Sequence, residues 1–265
     1  MQLLMTLGEV YIMGSDLGSN DQLWNAFEEE EFELALTLID KTRHSWSKRD
    51  WSNNGARGTA LMGLQRFNEA VKELAFANEL AAQGKPAFSY LAFGEKEGAA
   101  LWLSGARDLA AAKWKEIVEA MISGKKTMGD LAGGVSPCML LWFSGQTLHD
   151  ATLSELAKKH LKKLSKGSKI RYWPGPLAAI ALGTKSAESV FHDYCETTQT
   201  KYSLDKQAEG YLDRRRLSQL FFYWGIECRE QGDTKGFNSR MVASYKQKIW
   251  QEPEWFLARA IVESL

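Results

Sequence analysis

The side chains best able to support catalysis in this sequence are its histidines and cysteines. The four histidines are His44, His149, His160 and His192. None of them has the spacing of a zinc site or a metalloprotease motif. His192 and Cys195, with Asp193 between them, could share one face of a helix, where an imidazole could activate a thiol. We interpret them as ordinary residues of an amphipathic helix, because such pairs are defined by tertiary geometry.

A glycine-rich stretch, LAGGVSP at positions 131–137, could present backbone N–H groups to an anion. The chain has no GxxxxGK[ST] or GxSxG motif, so we predict an ordinary loop followed by a helix with Pro137 in its first turn. The three cysteines are an odd number without a close pair, which predicts neither a disulfide framework nor a zinc site. We therefore predict no catalytic residues, no metal and no cofactor.

One cluster of like charges is basic. It consists of Lys158, Lys159, Lys162, Lys163, Lys166 and Lys169. Leucines in LSELAKKHLKKLSK form an apolar stripe, which would leave these lysines in solvent. They form either a solvated helix face or a docking patch for an acidic partner or a nucleic acid. Few aromatic residues lie nearby, which disfavours single-stranded nucleic acid.

Two other charged runs have opposite signs. Residues 28–31 are all glutamates and Glu33 follows, which indicates a solvated turn or a contact for a basic partner. Residues 214–216 are all arginines, which either pair with neighbouring carboxylates or bind an acidic partner by bidentate contacts. Lys plus Arg and Asp plus Glu both total 33, so we expect no nucleic-acid and no membrane partner.

The elements that carry these residues are predicted to be helices. Only five prolines occur in 265 residues, and helix-forming residues are abundant. Residues 58–77 have small and large side chains at the spacing of a helical hairpin. They are Gly58, Leu61, Phe67, Ala70, Leu74 and Ala77. Gly58 and Ala70 would let two helices approach closely, while the large residues fill the space to the next hairpin. Related patterns predict turns near positions 30, 65, 105, 145, 183 and 232.

This pattern resembles the tetratricopeptide repeat. The resemblance implies an all-α fold, a helical-hairpin (TPR-like) repeat array with about six degenerate antiparallel helix pairs in a curved solenoid. We expect an N-terminal segment at residues 1–19 and a single repeat domain at residues 20–265. No apolar stretch is long enough to span a membrane and no signal peptide is recognised, so we expect a cytoplasmic protein.

In such repeats the first helix of each pair lines the concave face. The inward positions that the resemblance implies are Trp24, Phe27, Met62, Trp102, Met139, Trp142, Trp173, Leu177, Phe222 and Arg229. These residues would either line a groove that binds a protein or fill the core of a closed array. With the acidic turn added, the candidate partner-binding residues are Trp24, Phe27, Trp102, Trp142, Trp173, Phe222, Arg229, Glu28, Glu29 and Glu30.

Three longer segments carry a narrower resemblance. They are LAGGVSPCMLLWFSG, YWPGPLAAIALG and RRRLSQLFFYWGIECREQGD. They are similar to segments of bacterial tetratricopeptide-like proteins found beside polymorphic toxins. That resemblance implies an immunity protein, which binds and neutralises a cognate toxin domain without a catalytic step.

Two alternatives stay open. The first is a scaffold or co-chaperone that binds peptides, which needs a clamp of basic side chains along the concave helices. Arg57 and Arg229 are the only basic residues that we can place there. The second is an enzyme on a helical scaffold, which would require a cluster of perturbed titratable groups in a pocket.

Overall fold

The computed structural model describes residues 21–42, 51–83, 88–124 and 132–265. Within these ranges the chain forms thirteen α-helices and no β-strand, which confirms the all-α fold class. Its contacts divide the chain into two compact units, residues 1–130 (unit 1) and 131–265 (unit 2). The predicted N-terminal segment, residues 1–19, and His44 lie outside the described residues, and the single domain over residues 20–265 stays a prediction.

Unit 1 contributes three helical hairpins. The helices are α1 (Asp21–Glu28), α2 (Phe32–Thr42), α3 (Trp51–Gly63), α4 (Phe67–Gln83), α5 (Phe88–Leu103) and α6 (Arg107–Ile122). Each helix packs against the next one in the chain. Small residues such as Ala35, Ala70 and Ala110 are fully buried on the second helix of each hairpin.

Unit 2 is less regular. Its helices are α7 (Val135–Thr147), α8 (Ala151–Leu164), α9 (Ala178–Ala181), α10 (Ala187–Thr198), α11 (Tyr211–Glu230), α12 (Thr234–Tyr245) and α13 (Pro253–Val262), with 3-10 turns at Ser168–Arg171 and Gly175–Leu177. The first helix of the fifth predicted pair is therefore only α9, four residues long. Pro174 and Pro176 oppose an earlier start, because each proline disfavours helix at the preceding residue. Helix α13 follows the sixth pair and was not predicted.

The first helix of every pair ends in a turn of the same design. One residue in each turn has a positive φ, namely Glu30, Gln65, Gly105, His149, Gly183 and Gly232. The next N–H returns to a carbonyl five residues earlier, as from Arg66 to Leu61 at 2.9 Å. This is a Schellman C-cap, which satisfies carbonyls at the end of a helix. Five of the six predicted turn positions are confirmed.

The fourth predicted turn is wrong. Gly145 lies inside α7, and the chain turns at His149 instead. Gly145 is needed for helix packing, because a Cβ there would lie 2.4 Å from Ser154 Oγ on α8. A glycine in a sequence marks either a turn or a close approach, and at this position we assigned the wrong one.

Close approach of paired helices occurs as predicted at Gly58. A Cβ at this position would lie 2.6 Å from Leu74 Cγ on the facing helix. Gly98 has the same relation to Trp114, and Gly225 has the same relation to Met241. The three hairpins with the clearest repeat pattern thus share one packing device, a glycine on the first helix against a large side chain on the second.

Candidate functional site

Most of the predicted inward-facing aromatic residues lie in the core. Phe27, Trp102, Trp142 and Phe222 are between 0 and 8% exposed. Met62, Met139 and Leu177, which were assigned to the same face, are also buried. For these seven residues the structure agrees with the core interpretation of the aromatic pattern. A partner cannot contact these buried residues while the core is intact, so a binding surface must consist of other residues.

Trp24 is the most exposed of the predicted aromatic residues, with 41% of its surface accessible. Helix α1 buries Leu23, Ala26 and Phe27, which leaves its opposite face in solvent. That face carries Asp21, Trp24, Asn25, Glu28 and Glu29, at the spacing of one helical stripe. We call these five residues the α1 stripe. Glu28 is half-buried and Glu29 is exposed, so an accessible indole lies among carboxylates.

Glu30 has a different position from its two neighbours. It is the positive-φ residue of the first turn, with a φ of 60°, and its side chain is half-buried. Its backbone therefore helps to define the hairpin. Glu31 and Glu33 are exposed beyond the turn and extend the negative charge toward α2.

Trp173 belongs to a buried polar cluster in unit 2. Its indole Nε1 donates to Gln219 Oε1 at 2.7 Å, and Gln219 Nε2 donates to Glu252 Oε2 at 2.8 Å. Arg215 forms an ion pair with the same carboxylate. Burial alone would lower the pKa of Arg215, but the charge and hydrogen bond of Glu252, together with the nearby Tyr211 and Glu254, outweigh burial and raise it. The cluster therefore holds Trp173 at one end and an arginine at the other.

Glu254 completes this cluster, which we call the unit 2 cluster. Tyr223 donates its hydroxyl to Glu254 Oε1 at 2.7 Å, and Oε2 has no hydrogen-bond partner among the described residues. The carboxyl is fully buried. Burial first, and then the nearby charge of Glu252, raise the pKa of Glu254 to about 7. These contacts join the start of α13 to the middle of α11.

A second buried polar cluster lies in unit 1, and the sequence did not predict it. Glu95, Lys96 and Glu97 are consecutive on α5, and each is less than 9% exposed. Glu97 accepts from Asn78 Nδ2 at 2.5 Å and pairs with Lys113 Nζ at 3.1 Å. The other two are also held within unit 1. Lys96 Nζ donates to Thr59 Oγ1 at 3.1 Å, and the carbonyl of Glu95 accepts from the Trp114 indole at 3.2 Å.

The signal that could have found this cluster is its pair of flanking glycines. A Cβ at Gly94 would lie 2.9 Å from Ile117 Cδ1, and a Cβ at Gly98 would lie 2.3 Å from Trp114 Nε1. Glycines at both ends of GEKEG therefore mark a helix segment packed tightly against α6. The charged residues between these two glycines are therefore enclosed.

Arg229, like Trp173, keeps partial exposure, and 30% of its side chain is accessible. Its Nη2 donates to Thr147 Oγ1 at 2.9 Å and lies 3.4 Å from Glu230 Oε1. The Gln146 amide fits best when its nitrogen donates to Glu230 and its oxygen accepts from the Trp142 indole, both at 3.1 Å. Arg229 is thus linked to the buried Trp142 through one carboxylate and one amide.

Three other arginines that were weighed as contacts, Arg57, Arg215 and Arg216, are paired inside the chain. Arg57 Nη1 lies 2.6 Å from Glu73 Oε1, and its Nε lies 2.8 Å from Asp40 Oδ1. The hydrogen bond to Asp40 is the main reason that the pKa of Arg57 is raised. Arg215 pairs with Glu252, and Arg216 lies 3.8 Å from Asp213. For Arg215 and Arg216 the salt-bridge interpretation is confirmed.

The described histidines and cysteines that were weighed for catalysis are not brought together. His192 is exposed beside Phe191, and no hydrogen bond to Cys195 occurs within the described residues. His160 is buried in α8, where desolvation, and then the charge of Lys163, lower its pKa. Among the described residues there is no group of three side chains that could hold a metal ion. Pro137 lies in the first turn of α7, as the loop interpretation of LAGGVSP predicts.

Comparison with known proteins does not assign the chain to a family. No protein-family model matches the chain. No curated protein matches it either. In the part of the chain that the structure describes, every helix is too short or too polar to cross a membrane. The structure itself defines the class, an all-α array of helical hairpins.

Proposed function

We propose that this protein binds another protein through the α1 stripe, and that it acts as a cytoplasmic immunity protein that neutralises a toxin domain. The resemblance of three segments to proteins found beside polymorphic toxins supports the narrower part of this proposal. The observation that carries the broader part is Trp24, which is 41% exposed and lies within an acidic helix face.

The composition of the α1 stripe fits a basic partner. A tryptophan buries a large area on binding for little loss of side-chain entropy, and tryptophans are enriched among residues that dominate binding energy. Carboxylates around it steer an oppositely charged partner and fix its orientation. Asp21 and Glu28 lie three residues before and four residues after Trp24, each one helical turn away, so both effects act at one place.

The peptide-binding scaffold is less well supported. A clamp for a peptide carboxylate needs basic side chains with free donors, and Arg57 directs its donors to Asp40 and Glu73. Arg229 keeps some exposure, but it also donates to Thr147. The proposed function includes no catalytic step.

The proposal is tested by pairing the chain with the product of a neighbouring reading frame in its own genome. We expect co-expression to restore growth to a host that this product inhibits, and the two purified proteins to form a complex. Trp24→Ala should weaken that complex by about tenfold or more, as expected for a central aromatic anchor. Titration calorimetry measures the affinity, and circular dichroism should show unchanged helicity.

Phe76→Ala is the matched control, because Phe76 is 48% exposed on α4 and lies outside the α1 stripe. We expect this variant to bind and to protect as the parent does. Equal losses in the two variants would contradict the assignment to the α1 stripe. A neighbouring product that is neither inhibitory nor bound would contradict the immunity function.

A further inference from the structure

Positive charge is segregated in one part of unit 2. Between positions 156 and 187 the sequence contains eight Lys and Arg residues and no Asp or Glu. The chain as a whole has equal numbers of both signs, so this stretch departs strongly from the rest. It covers most of α8, both 3-10 turns and α9.

The fold places most of these cations on one outer surface. Helix α8 buries Ser154, Ala157, His160 and Leu161, which leaves its lysines in solvent. The surface then continues past the helix end into the turn at Ser168–Arg171. Its exposed members, which we call the basic face, are Lys159, Lys162, Lys163, Lys166, Lys169 and Arg171.

The basic face lacks carboxylate partners. None of its six residues forms an ion pair with any residue that the structure describes. Cations just outside the set behave differently, since Lys158 pairs with Glu155 and Lys185 pairs with Asp193. Unit 1 shows the usual pattern as well, where Arg66 and Lys115 each pair with a glutamate one turn away.

Helix stability does not account for this arrangement. Lys159 and Lys163 are four residues apart, as are Lys162 and Lys166, and like charges at this spacing destabilise a helix. Cations in the last turn do interact favourably with the helix dipole, but that effect ends within a turn of the terminus. Lys169 and Arg171 lie beyond it, so folding alone gives no reason for their charge.

An aromatic residue lies at the end of the basic face. Tyr172 is 43% exposed, and the Arg171 guanidinium lies 5.0 Å from the centre of its ring. Arg171 Nη2 also donates to the Tyr172 hydroxyl at 3.0 Å. A stacked arginine and tyrosine form a flat, partly ordered platform, and both residue types are enriched at the centres of protein interfaces.

We propose that the basic face is a docking surface for an acidic protein surface. This inference rests on the proposed function, since it assigns a second contact region to a protein-binding chain. A compact acidic protein can match the basic face alone, because screening confines the attraction to about 10 Å. A long nucleic acid is favoured by positive charge over a whole domain, and this chain has a net charge of zero. Helix α8 itself supplies no aromatic side chain on which bases could stack.

The test uses two fluorescent probes with the full chain, a short poly-L-glutamate and a duplex DNA of matched total charge. Anisotropy titrations at physiological ionic strength should show tighter binding of poly-L-glutamate than of DNA. The triple variant Lys162→Glu, Lys166→Glu and Lys169→Glu should lose about tenfold or more of that affinity, with a reduced salt dependence. Its circular dichroism spectrum should match that of the parent chain.

The control variant reverses the charge of three exposed lysines outside the basic face, Lys72→Glu, Lys201→Glu and Lys235→Glu. Its net charge equals that of the triple variant. We expect it to bind poly-L-glutamate almost as the parent does. An equal loss in the control would overturn the proposal, since net charge alone would then explain binding. Tighter binding of DNA would also overturn it and identify a nucleic-acid surface. Neither probe involves the toxin assay or Trp24, so failure here is distinct from failure of the proposed function.

Discussion

The two units both enclose a polar cluster, but they assemble it in different ways. In unit 1 three consecutive residues of α5, Glu95, Lys96 and Glu97, supply the charges. In unit 2 the participants are spread between Trp173 and Glu254 and meet only when α11 and α13 pack. The first cluster therefore depends on one helix being enclosed by its neighbours. The second depends on the last helix of the chain being in place.

This difference has consequences for stability. A buried charge is tolerated when partners replace the water that it has lost, and removing one partner costs far more than the pair contributes. In unit 1 the central acceptor is Glu97, which contacts both Asn78 and Lys113. In unit 2 Gln219, a neutral amide, links Trp173 to the carboxylate of Glu252. We therefore expect loss of the Glu97 carboxylate in unit 1 to cost more than loss of the Gln219 amide in unit 2.

The largest expected effect is that of Glu97→Ala. The change removes the carboxylate that Asn78 and Lys113 share, and we expect about 3 to 5 kcal/mol of lost stability. Gln219→Ala in unit 2 should cost about 1 to 3 kcal/mol, since it removes two hydrogen bonds of a neutral group. Urea unfolding followed by circular dichroism measures both values. A greater loss for Gln219→Ala would reverse the proposed ranking of the two clusters.

The second prediction concerns pH and is specific to unit 2. The pKa of Glu254 is raised to about 7 in the folded chain, above its ordinary value of 4.5. The folded state therefore holds this proton more tightly than the unfolded state does. Its contribution to stability is complete below pH 4.5 and is lost as the pH rises through about 7. The shift corresponds to about 3 kcal/mol.

Glu254→Gln should remove this dependence, because the amide carries no charge at either pH. Urea unfolding at pH 5 and pH 8 measures the difference for the parent chain and for the variant. The parent should lose stability between the two pH values relative to Glu254→Gln, which should be the more stable of the two at pH 8. Parallel pH profiles would show that Glu254 is ionised in the folded chain.

The repeat pattern was readable from the sequence because its contacts are local. The turn residue, the glycine before it and the large side chain after it lie within one hairpin, as Gly58, Gln65 and Leu74 do. Even here Gly145 was misassigned, since a glycine that permits close helix contact looks the same as one that ends a helix. Helix α13 was missed because it belongs to no repeat.

The surfaces were harder to predict. A one-residue change in helical register moves a side chain from the groove to the core, so the aromatic pattern alone could not separate Trp24 from Trp102. The buried charges of Glu95 to Glu97 were not predicted, because their burial depends on the helices that surround α5. The solvent exposure of the α8 lysines was predictable, because the leucines between them mark the face of the helix that is buried.

The smallest expected effect comes from replacing a helix-packing glycine, and it differs between the two units. At Gly98 a Cβ would lie 2.3 Å from Nε1 of Trp114, a fully buried ring whose indole donates to the carbonyl of Glu95. At Gly225 the nearest atom is Met241 Cε at 2.5 Å, the far end of a flexible side chain. A methionine can change rotamer to accommodate a methyl group, whereas the tryptophan must shift with its hydrogen bond.

Gly98→Ala should therefore cost about 1 to 3 kcal/mol, and Gly225→Ala should cost less than about 1 kcal/mol, because alanine also favours the helix relative to glycine. Urea unfolding of the two variants beside the parent chain measures the difference. A double variant, Gly225→Ala with Met241→Leu, tests this reason. The branched leucine lacks the flexible end of methionine, so Gly225→Ala should lower stability more in its presence. Equal losses at Gly98 and Gly225 would mean that backbone distance, and not the facing side chain, sets how closely paired helices approach in this chain.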